Sequence, residues 1–189
     1  MAQRIFIVRH GQTEWSANGR HTGRTDLPLT EAGREQAEHL PALLGGETYS
    51  LVLVSPLRRA RETCELAGYG DVAEVTDDLH EWDYGDYEGL TTPQIREQNP
   101  DWNLWRDGCP GGESPAEIGA RVDRVLERFK GVDGNGLAFA HGHVLRVLTA
   151  RWLQMEVAAG ARFALAAAGL SVLGHERETE VIERWNANR

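Results

Sequence analysis

Residues 4–15 read Arg4-Ile5-Phe6-Ile7-Val8-Arg9-His10-Gly11-Gln12-Thr13-Glu14-Trp15. The apolar run Ile5–Val8 shows no alternation, the pattern of a strand covered on both faces within a parallel sheet. An arginine, a histidine and a glycine follow at once, so polar chemistry stands where the strand ends. Leu51-Val52-Leu53-Val54 is a second such run and Leu137-Ala138-Phe139-Ala140 a third. Leu170-Ser171-Val172-Leu173 and Glu180-Val181-Ile182 read as weaker, later strands.

Helical patterns fall between these runs. After Thr30, the spacing of Ala37, Leu40 and Leu44 predicts one helix. Ser55-Pro56 offers an N-cap with proline at the first helical position. Ser114-Pro115-Ala116-Glu117 is a capping box leading into an apolar face of Ile118, Val122, Val125, Leu126 and Phe129, with Arg121, Arg124 and Arg128 displayed elsewhere. A further helix is expected over about 144–153. Strands alternating with helices give an α/β fold around a mainly parallel sheet. The 189 residues carry no linker, repeat or low-complexity stretch, so one domain over 1–189 is expected.

Composition narrows the function. Lys and Arg total 20 against 29 Asp and Glu, a net charge of −9, and such a field repels nucleic acid. An acidic chain that binds phosphate must gather its arginines in one place. No segment approaches the roughly 20 apolar residues of a membrane span. The start, Met1 to Val8, reads as a strand rather than a signal peptide, so a cytoplasmic location is expected. Cys64 and Cys109, far apart, read as free thiols. The oligomeric state is open, a homodimer included.

In open α/β sheets ligands sit beyond the carboxyl ends of the strands. Arg9-His10-Gly11, Ser55 to Arg59 and His141-Gly142-His143 occupy three such places. A neutral imidazole attacks phosphorus well and gives an intermediate that water can cleave. Planar arginines suit the charge spread over the transferring group, and their proximity depresses the imidazole pKa. The leaving oxygen needs a proton, which a carboxylic acid kept protonated by its surroundings supplies. The polar, aromatic loop Leu79 to Gly89, with Glu81, Asp83, Asp86 and Glu88, offers one.

Arg9-His10-Gly11 with Gln12-Thr13-Glu14-Trp15, then Thr22-Gly23, Leu29-Thr30 with Gly33, Ser55-Pro56 with Arg59-Ala60, Glu81 with Tyr84-Gly85, Gly112-Glu113-Ser114 and His141-Gly142-His143 together resemble the histidine phosphatase, or phosphoglycerate mutase-like, superfamily. The likeness runs in order over nearly the whole chain. It implies a three-layer α/β/α fold, His10 as the nucleophile that becomes phosphorylated, and Arg9, Arg59 and His141 as ligands of the transferring group. Arg59 rather than Arg58 is implied because the arginine immediately precedes Ala60. It implies Glu81 as proton donor and then as base toward water, substrate contacts at Ser16, Thr22, Gly23, Tyr84 and His143, and no cofactor or metal.

Mutases of this superfamily carry asparagine in place of Ser16 and of His143, arginine in place of Trp82, and a longer, basic insertion after the Glu81 loop. Here residues 91–114 are short, contain Trp102 and Trp105, and have only Arg96 and Arg106 as cations. That stretch reads as an aromatic lid that admits water, which favours hydrolysis of a small phosphorylated metabolite such as a sugar phosphate. The chain is most similar to phosphatase members, among them acid phosphatase-like bacterial proteins and sedoheptulose-bisphosphatase. A phosphoglycerate mutase and a non-catalytic phospho-ligand-binding module are the competing readings; retention of both His10 and Glu81 weighs against the second.

Overall fold

A computed structural model describes residues 3–188; Met1 and Ala2, at the head of the first-strand reading, and Arg189 lie outside the described residues. Six strands form one sheet: β1 Ile5–Arg9, β2 Tyr49–Val54, β3 Glu74–Val75, β4 Asn135–Ala140, β5 Leu170–Glu176 and β6 Thr179–Ala187, in the order β3-β2-β4-β1-β5-β6. The pairs β2/β3, β2/β4 and β1/β4 are parallel, and β5 and β6 extend the sheet antiparallel. The helices are α1 Glu14–Ala17, α2 Glu31–Glu38, α3 Leu40–Leu44, α4 Arg58–Leu66, α5 Thr92–Gln98, α6 Leu104–Asp107, α7 Pro115–Lys130 and α8 Gly142–Trp152.

The unbroken apolar runs are explained by two cores, one on each face. Ile5, Ile7, Leu51, Leu53, Ala138 and Ala140 pack with α7 and α8 through Ile118, Val122, Val125, Val144 and Leu148. Their neighbours Phe6, Val8, Val52, Val54, Leu137 and Phe139 pack with α2, α3 and α4 through Ala37, Leu40, Leu44, Ala60 and Cys64. Because side chains alternate across a pleated strand, a strand between two helical layers must be apolar at every position. The result is an α/β/α sandwich.

Two helical expectations are corrected. The helix after Thr30 is broken at His39, and α3 restarts with Pro41 in its first turn. Proline lacks the N–H that would reach back to the Ala37 carbonyl and continue the helix. Ser55 does not cap α4: that helix begins at Arg58, after Leu57 in extended conformation. Ser114 does close its capping box with Glu117. The short edge strand β3 was not anticipated, since two exposed residues carry no periodic signal. Cys64 and Cys109 are free and buried, and burial pushes both thiols up to about 12. Among the described residues no helix is long and apolar enough to cross a membrane.

The parallel registers bring three strand ends level. Arg9 lies opposite Ala140, and Val54 opposite Phe139. The next residue of each chain segment continues the pattern: His10 N–H donates to the Ala140 carbonyl at 2.9 Å and Ser55 N–H to the Phe139 carbonyl at 3.0 Å. The loop after β1 is pressed against α2 where two glycines meet. A Cβ on Gly11 would stand 2.2 Å from the Gly33 carbonyl oxygen, and one on Gly33 2.1 Å from that of Gln12.

Candidate active site

Beyond these strand ends opens a cleft of about 190 Å³ lined by Arg9, His10, Glu81, Tyr84, His143 and Arg146, and by Ser16, Arg20, His21 and Thr22. It is smaller than the ~300–1,000 Å³ of pockets that take drug-sized molecules. A larger groove of about 560 Å³ along α2 and α3 contains none of these residues.

His10 is 5% exposed, and its Nδ1 lies 2.6 Å from the Gly11 carbonyl oxygen. A carbonyl only accepts, so Nδ1 carries the proton and the lone pair is left on Nε2. Burial, and after it the charges of Arg59 and Arg9, hold the imidazole pKa well below its usual value. The ring is therefore neutral, with one nitrogen ready to attack. The loop holding it is fixed from behind: Gly11 N–H donates to Thr63 Oγ1 at 3.1 Å, and that hydroxyl donates to the Arg59 carbonyl at 2.7 Å.

Arg9 donates from Nη1 to the Leu165 carbonyl at 2.6 Å, while its buried Nε has no hydrogen-bond partner among the described residues. A buried guanidinium donor without a partner is costly, and it lines the cleft beside His10. Such a donor fits an anionic oxygen.

Arg59 and His141 are gathered at the same place but face inward. Both are fully buried, and the His141 ring lies 5.1 Å from that of His10. Arg59 gives Nη1 to the Thr25 carbonyl, Nη2 to those of Thr22 and Gly23, and Nε to His141 Nδ1 at 3.1 Å. With Nδ1 accepting, His141 carries its proton on Nε2, 2.7 Å from Ser55 Oγ. Neither residue lines the cleft, which departs from their expected place as direct ligands. Four of the five N–H groups of Arg59 are committed in these bonds, which leaves one on Nη1. In this arrangement Arg59 acts on His10 through its charge and holds the turn of residues 22–25.

Glu81 is 5% exposed. Its carboxylate accepts three backbone N–H groups, from Trp82, His143 and Val144, each at 2.9 Å. Two of these open α8, whose N-cap His141 makes no side-chain cap of its own, so Glu81 caps that helix from another segment. Burial pushes its pKa up, but the hydrogen bonding at His143 and the neighbouring imidazoles of His143 and His141 outweigh burial and leave it well below the usual carboxylate range. The sequence suggests a carboxylic acid kept protonated by its surroundings; here the N–H groups and the helix end favour the anion.

The remaining expected contacts divide. Ser16 and Thr22 reach the cleft, although Ser16 Oγ also closes the cap of α1 with Thr13. Tyr84 Oη lies 2.6 Å from His143 Nδ1, and both line the cleft. Gly23 does not. It is buried, its N–H goes to Glu88, and a Cβ there would stand 2.7 Å from Glu88 Oε2 and from the Trp82 carbonyl. Its role is close packing under the Arg59 carbonyls. His141 and His143 turn to different partners, Arg59 with Ser55 on one side and Tyr84 on the other.

Several residues escaped the sequence reading. His21 lines the cleft against the Tyr84 and Trp102 rings, and burial, then His143, lowers its pKa to about 4. Arg121, expected at the surface, is buried in an ion pair with Glu113 at 2.6 Å. It also donates to the carbonyls of Asp78, His80 and Glu81 at 2.7–3.1 Å, clamping the loop that carries Glu81. In segment 91–114, Trp102 belongs to the core and donates to the Gly108 carbonyl at 2.8 Å, whereas Trp105 stands edge-on to Trp82 and backs His143. The segment's cations serve the segment itself: Arg96 donates to the Trp102 carbonyl and Arg106 pairs with Asp107.

Comparison with known proteins places this arrangement among relatives. The family model described as histidine phosphatase superfamily (branch 1) matches residues 5–188. An acid phosphatase of Mycobacterium tuberculosis is 48% identical over 179 residues, covering 92% of this chain and 87% of that protein. The sedoheptulose 1,7-bisphosphatase of Saccharomyces cerevisiae is 38% identical over 189 residues, covering 83% of this chain and 70% of the relative. A solved structure of the product of a Mycobacterium tuberculosis open reading frame superposes with a TM-score of 0.92 at 42% identity, covering 98% of each chain.

Proposed function

The chain belongs to the histidine phosphatase superfamily, and from that membership we propose a phosphatase that hydrolyses a small phosphorylated metabolite, a sugar phosphate being the class favoured, through a phosphohistidine on His10. The observation that carries the mechanism is the buried, neutral His10, its proton committed to the Gly11 carbonyl, beside the unpartnered Arg9 Nε.

In the first step the His10 Nε2 lone pair forms a bond to phosphorus and the P–O ester bond breaks. Arg9 takes an equatorial oxygen, and Arg59 and His141 support the charge from behind. Glu81 is ionised in the free protein, so the proton needed by the leaving oxygen arrives on a monoanionic ester and passes through the carboxylate. In the second step water attacks the phosphohistidine, the P–N bond breaks, and Glu81 accepts the proton that the water loses. Segment 91–114 acts as the cover, within a single domain over 1–189. Its arginines are engaged internally, which supports release of product over retention of a bisphosphate as in a mutase.

Phosphate release measured over sugar phosphates, nucleotides and glycolytic acids, with acid-quench trapping of the phosphoenzyme, tests this reading. The expected result is free phosphate and an acid-labile adduct that His10→Ala lacks. Isomerisation of 3-phosphoglycerate in the presence of a bisphosphate primer, with little phosphate released, would replace the phosphatase by a mutase.

A further inference from the structure

The proton on His10 Nδ1 is placed by one carbonyl, that of Gly11, at 2.6 Å. That carbonyl is itself held. Gly11 C=O and Gln12 N–H belong to one planar peptide unit, in which the two groups point in opposite directions. The Gln12 N–H donates to Gln36 Oε1 at 3.0 Å. Gln36 stands on α2, behind the loop; it is half-buried, lines the larger groove along α2 and α3, and does not line the cleft. A bond that draws the N–H toward α2 aims the carbonyl at the imidazole.

This bond meets a weakness in the loop. Rotation of the peptide between residues 11 and 12 turns on ψ of the first and φ of the second, and glycine resists such a rotation least. Residue 11 is a glycine for another reason: a Cβ there would stand 2.2 Å from the Gly33 carbonyl oxygen. Packing against α2 thus leaves soft the very peptide that faces His10. The unit before it is fixed by Gly11 N–H on Thr63 Oγ1 at 3.1 Å and by Ala168 N–H on the His10 carbonyl at 3.0 Å. The unit after it is fixed by Thr30 N–H on the Gln12 carbonyl at 2.9 Å. For the middle unit, Gln36 is the only group that accepts the N–H among the described residues.

A rotated unit would turn an N–H, not a carbonyl, toward Nδ1. The imidazole would then present its lone pair there and carry its proton on Nε2, the nitrogen that attacks phosphorus. One peptide rotation converts a nucleophile into an inert ring. We propose that Gln36 is a positioning residue of the reaction: through the Gly11–Gln12 peptide it keeps the proton of His10 on Nδ1 and Nε2 free to attack. The proposal rests on the phosphohistidine reading and adds to it a residue outside the cleft.

The test compares Gln36→Met, which keeps the length of the side chain and removes the acceptor, with Gln36→Glu, which keeps one. Imidazole ¹⁵N spectra of histidine-labelled protein read the tautomer without turnover, the His10 signals being assigned by their absence from His10→Ala. Gln36→Met should move His10 from protonated Nδ1 toward protonated Nε2. It should also lower kcat/KM for p-nitrophenyl phosphate about tenfold to a hundredfold, the range for a residue that orients a reacting group through another. Inhibition by inorganic phosphate should change less than about threefold, because no group of the cleft is removed. Gln36→Glu should retain most of the activity and the original spectrum. If Gln36→Met fails to fold, Gln36→Asn, whose amide falls one methylene short of Gln12, takes its place. An unchanged His10 spectrum, an unchanged kcat/KM, or equal losses in Gln36→Met and Gln36→Glu would overturn the proposal. The spectra also separate the two readings. Absence of phosphate release by the unaltered protein removes the phosphatase and leaves the spectra to decide for Gln36; release at the same rate from Gln36→Met removes Gln36 alone.

Discussion

At His10 the decisive question is which nitrogen holds the proton, and the Gly11 carbonyl answers it. Replacing His10 by Ala should lower turnover by roughly 10⁴-fold or more and abolish phosphoenzyme trapping, with the thermal midpoint nearly unchanged. Glu81 has two separable jobs. Glu81→Gln keeps an acceptor at the start of α8 but cannot take up water's proton, so kcat should fall about 10²–10⁴-fold with stability largely kept. Glu81→Ala should also lose about 1–2 kcal/mol as the cap disappears, measurable by urea denaturation. The pH profile follows from the directions of the shifts. His10 and His141 are held well below 6.5 and Glu81 well below 4.5, so none of them imposes an acid limb near its ordinary value. On esters with poor leaving groups, kcat/KM should therefore decline above about pH 6, where the ester gives up its last proton, and a profile level from pH 5 to 8 would remove the proton route through Glu81. The meeting of His10, Arg9 and Glu81 at one cleft was legible because two of them stand at a strand end and the third in a polar, aromatic loop. The inward turn of Arg59 was not, since it depends on carbonyls 34–37 residues away that no local pattern announces.

Among the elements, α7 does more than cover the sheet. Arg121 lies three residues after Ile118 and four before Val125, inside the apolar stripe rather than beside it. That position was the available signal: an arginine there can be buried only if its donors find acceptors, and Glu113 with three carbonyls provides them. Arg121→Met leaves the largely covered Glu113 carboxylate without its cation. It should cost about 3–5 kcal/mol and lower kcat through displacement of Glu81, while Arg121→Met combined with Glu113→Gln should recover part of the stability. Denaturation and steady-state kinetics on the three proteins check this. The strands and the capping box of α7 were readable because burial and capping are local in sequence. The break at His39 was readable in principle from Pro41, but the apolar spacing of Ala37, Leu40 and Leu44 continues across it and masks the change of direction. Ser55 has the chemistry of a cap, yet a histidine 86 residues away claims its hydroxyl.

For the whole molecule, the balance of charge is uneven: an acidic exterior surrounds a cleft whose charges are mostly arginines. Buried neutral histidines make the fold sensitive to acid. The unfolded chain protonates His10 and His141 below about 6.5 and the folded chain does not, so U binds more protons and stability rises with pH across that range. Each group can remove up to about 1.4 kcal/mol per pH unit on acidification. Glu81 adds its own loss below its unfolded value of 4.5, because its stabilisation is present above that value and disappears as the pH falls. The thermal midpoint should drop steeply below pH 6, and a midpoint constant from pH 7 to 4 would contradict the neutral state of these rings. The layered architecture was legible at this scale because two apolar layers impose unbroken strands. The segment from Thr91 to Ser114 has a further consequence. It begins and ends at capping boxes that satisfy their own backbone groups, and its tryptophan anchor and arginine ties are internal or local. Up to Gly108 the stretch is a transplantable cassette: an exchange of residues 92–107 of equal length that keeps Trp102 and Trp105, and leaves Glu113 in place to hold Arg121 and the loop of Glu81, should alter which molecules are admitted without disturbing the bond-breaking apparatus.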